Sequence, residues 1–222
     1  MFVKHENCLQ LISVRTDREM FRDCFVEKTM GIIRRSLQGF TLDIGSFDGL
    51  IAAFHKNAIG LDIKPTESYI PLVVGDMHNL PFKNEVFDTV CICHTLEHSE
   101  KPEAVLEEMN RVLKNNRKCI IVVPNAKAPL ATLARLVIGY DGYAYPRPKT
   151  KEHWEHKSFF GYKDLEKLVE KSGFRISKTY GSTPHCPIIE KIFNYGFLRK
   201  VYCVLGDIDK KRSKDLIFVC KT

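Results

Sequence analysis

The chain predicts a three-layer α/β fold built on a largely parallel sheet, and three observations lead there. Short apolar runs recur at "FTLDIG", "AIGLDI", "YIPLVVGD", "VFDTVCICHTL" and "KCIIVVPN", each bounded by turn residues. Most lack strict alternation, the pattern of strands covered on both faces. Segments of helical period separate several of them, and alternating strands and helices make layered α/β domains.

A first helix is written at "TDRE", where Thr16 can cap and Glu19 reach back as in a capping box. Phe21, Cys24, Phe25, Ile32 and Ile33 continue its apolar face to about Leu37, with Gly39 as the stop. Strand one, "FTLDIG", runs into a loop and a short helix, "LIAAFHKN". Strands follow at Ala58–Ile63, Tyr69–Asp76 and Val86–Leu96. Pro102 opens a helix where its missing N–H costs nothing, Val105, Leu106, Met109, Val112 and Leu113 form its stripe, and Asn115-Asn116 caps it. Lys118–Asn125 is the fifth strand.

The rhythm then breaks. Residues 126–160 hold a short helix at Leu130–Ile138 and a loop rich in tyrosine and proline, "GYDGYAYPRPK". A helix at Tyr162–Ser172, stopped by Gly173, leads to a strand at Phe174–Gly181. Residues 184–214 form a second excursion, with an apolar segment around Ile188–Leu205, before the last strand, Asp215–Thr222. The expected organisation is one domain over residues 1–222, with an N-terminal helical segment at 1–39 and two insertions, 126–160 and 184–214, covering the site.

Composition narrows the class. With 44% hydrophobic and 27% charged residues, the chain has the balance of a globular protein and not of a disordered one. The eight cysteines form no C-x-x-C pair, which argues for reduced core thiols over a zinc ribbon or redox motif. "MFVKHENCLQLISVRTDREM" lacks a continuous apolar stretch and "APLATLARLVIGY" is too short to span a bilayer, so a cytoplasmic protein is expected, with peripheral membrane contact still open to it. A net charge of +7, with clusters at Arg34-Arg35 and "KKRSK", suits anionic partners and equally a solvated face.

"TLDIGSFDGL" raises the functional question: a strand ends in an acid and two glycines. In open parallel sheets, ligands bind beyond the carboxyl ends of the strands, and a glycine loop lets a ligand approach the backbone. Asp62, which ends strand two, follows Gly45 by close to the ~20 residues of a nucleoside site and can accept from ribose hydroxyls. Asp76 follows strand three, where an adenine amino group could be met. One such acid is an ordinary turn former; three after successive strands form a pattern.

In "LDIGSFDG", "IGLDIKP", "GDMHNLPFKNEVFDTVCICHTLEH", "PEAVLEEMNRVLKNNRKCIIVVPN" and "HKSFFGYKDLEKLVEKSGF" the chain resembles the class I S-adenosylmethionine-dependent methyltransferases, in particular the small-molecule group of ubiquinone and sterol methyltransferases. The resemblance covers Thr41 to Gly173. It implies a Rossmann-like, mostly parallel seven-stranded sheet of order 3-2-1-4-5-7-6, last strand antiparallel, with helices on both faces. It implies S-adenosyl-L-methionine as cofactor, its amino-acid end held by Asp43 and the backbone of Gly45, Ser46 and Phe47, with Gly49 letting the next helix start close by. Asp62 would bind the ribose, Ile63 pack on the adenine, Asp76 take the adenine amino group, Met77 offer its N–H, and His94 line the methionine side. Phe47 departs from the family's pattern, which has glycine there.

Methyl transfer from a sulfonium needs positioning more than a nucleophile, and a base only where the acceptor loses a proton. His94 and His156 are the catalytic candidates, His156 by its match to an acceptor-facing position; His98, His153, Tyr140, Tyr143 and Tyr145 stand near them in sequence or in the long loop. Glu97-His98 has the chemistry of a magnesium or zinc ligand pair, but no resident metal is expected. The acceptor read from this pattern is a small molecule, lipid or glycan, on a monomer or homodimer. An RNA- or protein-directed enzyme, or a weakly active cofactor-binding subunit, is the alternative.

Overall fold

The computed structural model describes residues 24–64, 67–128, 156–183 and 204–222, with side chains from residue 28 onward. The strands are β1 (Thr41–Ile44), β2 (Ala58–Asp62), β3 (Leu72–Val74), β4 (Phe87–Cys93), β5 (Leu113–Pro124), β6 (Arg175–Gly181) and β7 (Asp215–Lys221). The helices are α1 (Cys24–Ser36), α2 (Pro102–Val112) and α3 (Tyr162–Lys171). One seven-stranded sheet runs β3-β2-β1-β4-β5-β7-β6. β1 to β5 pair in parallel, and β7 runs antiparallel to both β5 and β6. The predicted order and the reversed last strand are therefore observed.

The missing alternation in the central strands now has its cause. Val90 and Ile92 of β4, Cys119, Ile121 and Val123 of β5, and Leu216, Phe218 and Cys220 of β7 face one layer, which contains Val105, Leu106, Met109 and Val112 of α2 and Leu165 and Val169 of α3. The intervening residues Cys91, Ile120, Val122, Ile217 and Val219 face the opposite layer, with Ile32 and Ile33 of α1 and Leu37 just beyond it. Side chains alternate across a strand, so a sheet buried on both sides must be apolar at every position. Cys91, Cys119 and Cys220 are buried within these layers and, with Cys93, carry free thiols; burial leads the causes that push all four thiols up.

Three local expectations are corrected. "LIAAFHKN" forms turns over residues 50–57 and no regular helix; Leu50, Ala52 and Ala53 pack with Ala58 and Ile70, and helices this short are marginal unless tertiary packing favours them. Asn115-Asn116 does not cap α2. That helix ends at Val112, Leu113 is already extended (φ −81°, ψ 134°), and β5 starts there, five residues early. Asn116 does take left-handed backbone (φ 57°), but inside a bulge of β5, where pairing with β4 jumps from Phe87↔Leu113 to Thr89↔Lys118. β3 is also shorter than Tyr69–Asp76, because only Leu72–Val74 reach β2.

The capping box at Thr16–Glu19, the helix at 130–138, Tyr140, Tyr143, Tyr145, His153 and residues 188–203 of the second excursion lie outside the described residues. Among the described residues no helix is long and apolar enough to cross a membrane.

Phe87 anchors the first residue of β4 with no exposed surface. Its ring meets Phe82 edge-on at 5.0 Å and Phe40 at 4.9 Å. Phe87→Ala is expected to cost about 3–5 kcal/mol in urea denaturation, whereas Ile208→Ala, at a side chain 75% exposed, should stay within about 0.5 kcal/mol.

Candidate functional site

β1, β2 and β3 lie side by side and each delivers an acid to the carboxyl edge: Asp43 within β1, Asp62 at the end of β2, and Asp76 just past β3. The loop between them is folded back onto β2. Gly45 N and Ser46 N both donate to Leu61 O (2.8 and 3.1 Å), and Gly49 N donates to Ser46 O (2.7 Å). Gly45 and Gly49 have φ of 69° and 76°, a region that glycine enters without steric cost. Space makes the same demand. A Cβ on Gly45 would fall on the Thr95 side chain, and one on Gly49 would lie 2.6 Å from Ile70 Cγ1 and Ser68 Oγ. Gly49 thus admits the 68–70 segment, whose Tyr69 N donates to Asp48 O (2.8 Å), and not the expected helix start.

Phe47 also takes left-handed backbone (φ 48°), with its side chain 68% exposed. Its N–H donates to Asp62 Oδ2 (2.9 Å), while Lys64 N donates to Oδ1 (3.2 Å). Each carboxylate oxygen has a further lone pair, so Asp62 retains acceptor capacity. Ile63 beside it is an exposed apolar side chain, and Met77 packs its side chain on the core. Asp76 Oδ1 accepts from His78 N (2.9 Å) and meets His78 Nδ1 (2.7 Å), whose Nε2 lies 2.7 Å from Ser99 Oγ. The two hydrogen bonds from His78 hold the Asp76 carboxyl below the usual range.

Asp43 differs from the other two. It is 1% exposed, and neither carboxylate oxygen has a hydrogen-bond partner. Burial, then the charges of Asp48 and Asp62, push its pKa up to about 7. Ser46 Oγ is likewise buried without a partner. Buried polar groups are nearly always paired. Two orphaned oxygens beside a glycine loop therefore fit a ligand that brings an ammonium group, and the three acids suit a ligand with positive charge. An adenosyl sulfonium with an amino-acid tail has both properties.

A second group stands past the end of β4. His94, also left-handed (φ 51°), donates its N–H to Val122 O (2.9 Å). Its Nδ1 is 3.6 Å from Glu97 Oε1 and its Nε2 is 3.8 Å from Asp215 Oδ1. Burial opposes the imidazolium, but Glu97 and Asp215 outweigh it and raise the pKa of His94. Glu97 Oε2 and Asp215 Oδ2 are buried without partners. After burial, Asp43, Glu97 and Asp215 together raise the Cys93 thiol, which ties both groups into one negative region. His156 sits against His98, with ring centroids 5.1 Å apart, because Lys157 N and Ser158 N both donate to Glu97 O (2.8 and 2.9 Å).

The two catalytic candidates, His94 and His156, are thus joined through Glu97. Sequence reasoning did not single out Thr95, His78, Ser99 or Asp215. His78 carried a signal, two residues from Asp76; Asp215 had none, since only the antiparallel pairing Pro124↔Asp215 brings it here.

Comparison with known proteins bears on the domain and the fold. Residues 42–121 match the family described as "Methyltransferase domain". An uncharacterized protein of Methanocaldococcus jannaschii is 28% identical over 191 residues, 78% of this chain and 76% of that protein. A demethylmenaquinone methyltransferase of Staphylococcus haemolyticus is 29% identical over 139 residues, 59% of this chain and 58% of the enzyme. A SAM-dependent methyltransferase from Thermotoga maritima, described as a possible histamine N-methyltransferase, superposes with a TM-score of 0.67 at 18% identity, covering 98% of this chain and 99% of that one.

A folded pKa above the ordinary 3.8 means that native Asp43 binds more protons than unfolded Asp43 between pH 3.8 and about 7. Stability is full below that window and falls as pH rises through it. Asp43→Asn should accordingly raise the melting temperature by ~5 °C at pH 8 and leave it almost unchanged below pH 4, read by thermal denaturation without cofactor.

Proposed function

We propose that this chain is a class I S-adenosylmethionine-dependent methyltransferase with a small-molecule acceptor, a reading supported by its match to a methyltransferase domain over residues 42–121 and by its sheet order. The orphaned, buried carboxylate of Asp43 carries the assignment of the cofactor's position. Asp43, with the backbone of Gly45, Ser46 and Phe47, receives the ammonium and carboxylate end. Asp62 takes the ribose hydroxyls, Ile63 lies on the adenine, and Asp76 with the N–H of Met77 meets its edge, with Gly49 keeping the loop compact.

S-adenosylmethionine supplies, when bound, a methyl already activated on sulfur, so the chain has to orient an acceptor and exclude water. His94 lines the methyl side as a hydrogen-bond donor, Asp215 Oδ2 offers an acceptor for a proton of the incoming molecule, and His156 stands across Glu97 from His94. The excursion 184–214 leaves from the end of β6 and returns at the start of β7, and 126–160 leaves from the end of β5. All three points lie at the edge where the acids gather, which supports a cap over the acceptor within one domain. The likeness to a demethylmenaquinone methyltransferase makes isoprenoid quinols the first acceptors to try.

Calorimetry with S-adenosylhomocysteine should give one site per chain, weakened roughly tenfold or more in Asp62→Ala, as expected when hydrogen bonds to charged groups are lost, and more severely in Asp43→Ala. Transfer of labelled methyl from S-adenosylmethionine to a panel of quinols, amines and glycans then identifies the acceptor. A folded protein that binds no S-adenosylhomocysteine overturns the cofactor assignment, and transfer only to RNA or protein overturns the small-molecule reading.

A further inference from the structure

We infer a divalent-metal site at Glu97, His98 and His156. Among the described residues, these three bring one ligand atom each to within 4.8 Å of one another. Around a tetrahedral ion with bonds of about 2.0–2.1 Å, ligand atoms stand ~3.4 Å apart, so modest side-chain rotations close the site. The two imidazoles already meet at 60° with centroids 5.1 Å apart.

The carboxylate makes this more than a histidine contact. Glu97 is 2% exposed, and its Oε2 has no hydrogen-bond partner, while Oε1 lies 3.6 Å from His94 Nδ1. A buried carboxylate oxygen without a partner is costly, and a dication beside it offsets that cost directly. The backbone holds the arrangement from both sides. Leu96–His98 form a 3-10 turn just past β4. Lys157 N and Ser158 N close on Glu97 O, and Ser158 Oγ donates to Ser99 O (2.7 Å). His156 therefore reaches the turn on a segment fixed by three hydrogen bonds, although about sixty residues separate the two in the chain.

Two imidazoles and one carboxylate suit zinc, cobalt, manganese or iron(II), and not calcium or magnesium, which favour shells of oxygen. Three protein ligands leave a coordination position open. Glu97 also borders His94 (Oε1 to Nδ1, 3.6 Å), so an ion held there would stand near the methyl side of the proposed cofactor, where an acceptor oxygen bound to it would lose its proton more readily. This departs from the sequence reading, which expected no metal.

The test uses the full chain, stripped with chelator, and Co2+ alone as the first probe. One equivalent should bind and give d–d absorption of four- or five-coordinate Co2+ with no thiolate charge-transfer band, which separates this site from the eight cysteines. Zn2+ should displace it. Glu97→Gln, His98→Ala and His156→Ala should each weaken Co2+ binding roughly tenfold or more, with far-UV circular dichroism reporting the fold. If Glu97→Gln does not fold, the two histidine variants decide. Absence of stoichiometric binding, a thiolate band, or unchanged affinity in both histidine variants overturns the site. S-adenosylhomocysteine binding by the metal-free protein is a separate readout, so failure here leaves the methyltransferase reading intact.

Discussion

The carbonyl of Leu61 is the contact on which the carboxyl edge depends. It ends the pairing of β1 with β2 and accepts from two consecutive N–H groups, Gly45 and Ser46. With both lone pairs committed, the loop turns back at once, and Phe47 N meets the carboxylate of the next residue, Asp62. Phe47 is thereby held at φ 48°, which costs a residue with a side chain roughly 1–2 kcal/mol that glycine would not incur. The strain persists because its neighbours fix it on both sides, and it sends an aromatic ring outward at the mouth of the site. Asp62 consequently shapes the loop through one lone pair on each oxygen and leaves the others for the ribose contact proposed above.

Folding alone does not account for the acids beside it. Asp43, Glu97 and Asp215 are each almost inaccessible, and each has at least one oxygen without a partner. A core gains nothing from such groups, and apolar replacements of similar volume are often neutral or stabilising. The rest of the sheet follows that preference, with aliphatic side chains on both faces. The exceptions gather at one edge, where two of the four described non-glycine residues with left-handed backbone, Phe47 and His94, also lie. Local rules fail together where a ligand is needed to complete the structure.

What was legible in the sequence follows from how local each cause is. The central strands announced themselves because burial on both faces removes alternation, and α2 and α3 because one buried stripe imposes a helical period. Asp62 and Asp76 were visible because each stands at or just past the end of a strand. The turns at 50–57 were not, since "LIAAFHKN" has the composition of a helix and only its packing on Ile70 and Ala58 decides otherwise. Asn116 was correctly placed in left-handed backbone but assigned to the wrong element, because an asparagine reports its own φ and not whether a helix or a bulge surrounds it. Thr95 fills the space a Cβ on Gly45 would need, a relation between β1 and β4 that no spacing encodes.

The two halves of the site differ in the same respect. The proposed cofactor side comes from one stretch, Asp43 to Met77, along three neighbouring parallel strands. The proposed acceptor side gathers residues 94–98, 156–158 and 215, joined by pairing across β5 and β7 and by the hydrogen bonds to Glu97 O. The family match ends at residue 121 and so contains the first half whole but neither His156 nor Asp215. The likeness to that family therefore bears on the methyl donor, while the proposed acceptor pocket rests on side chains brought together from outside the matched stretch.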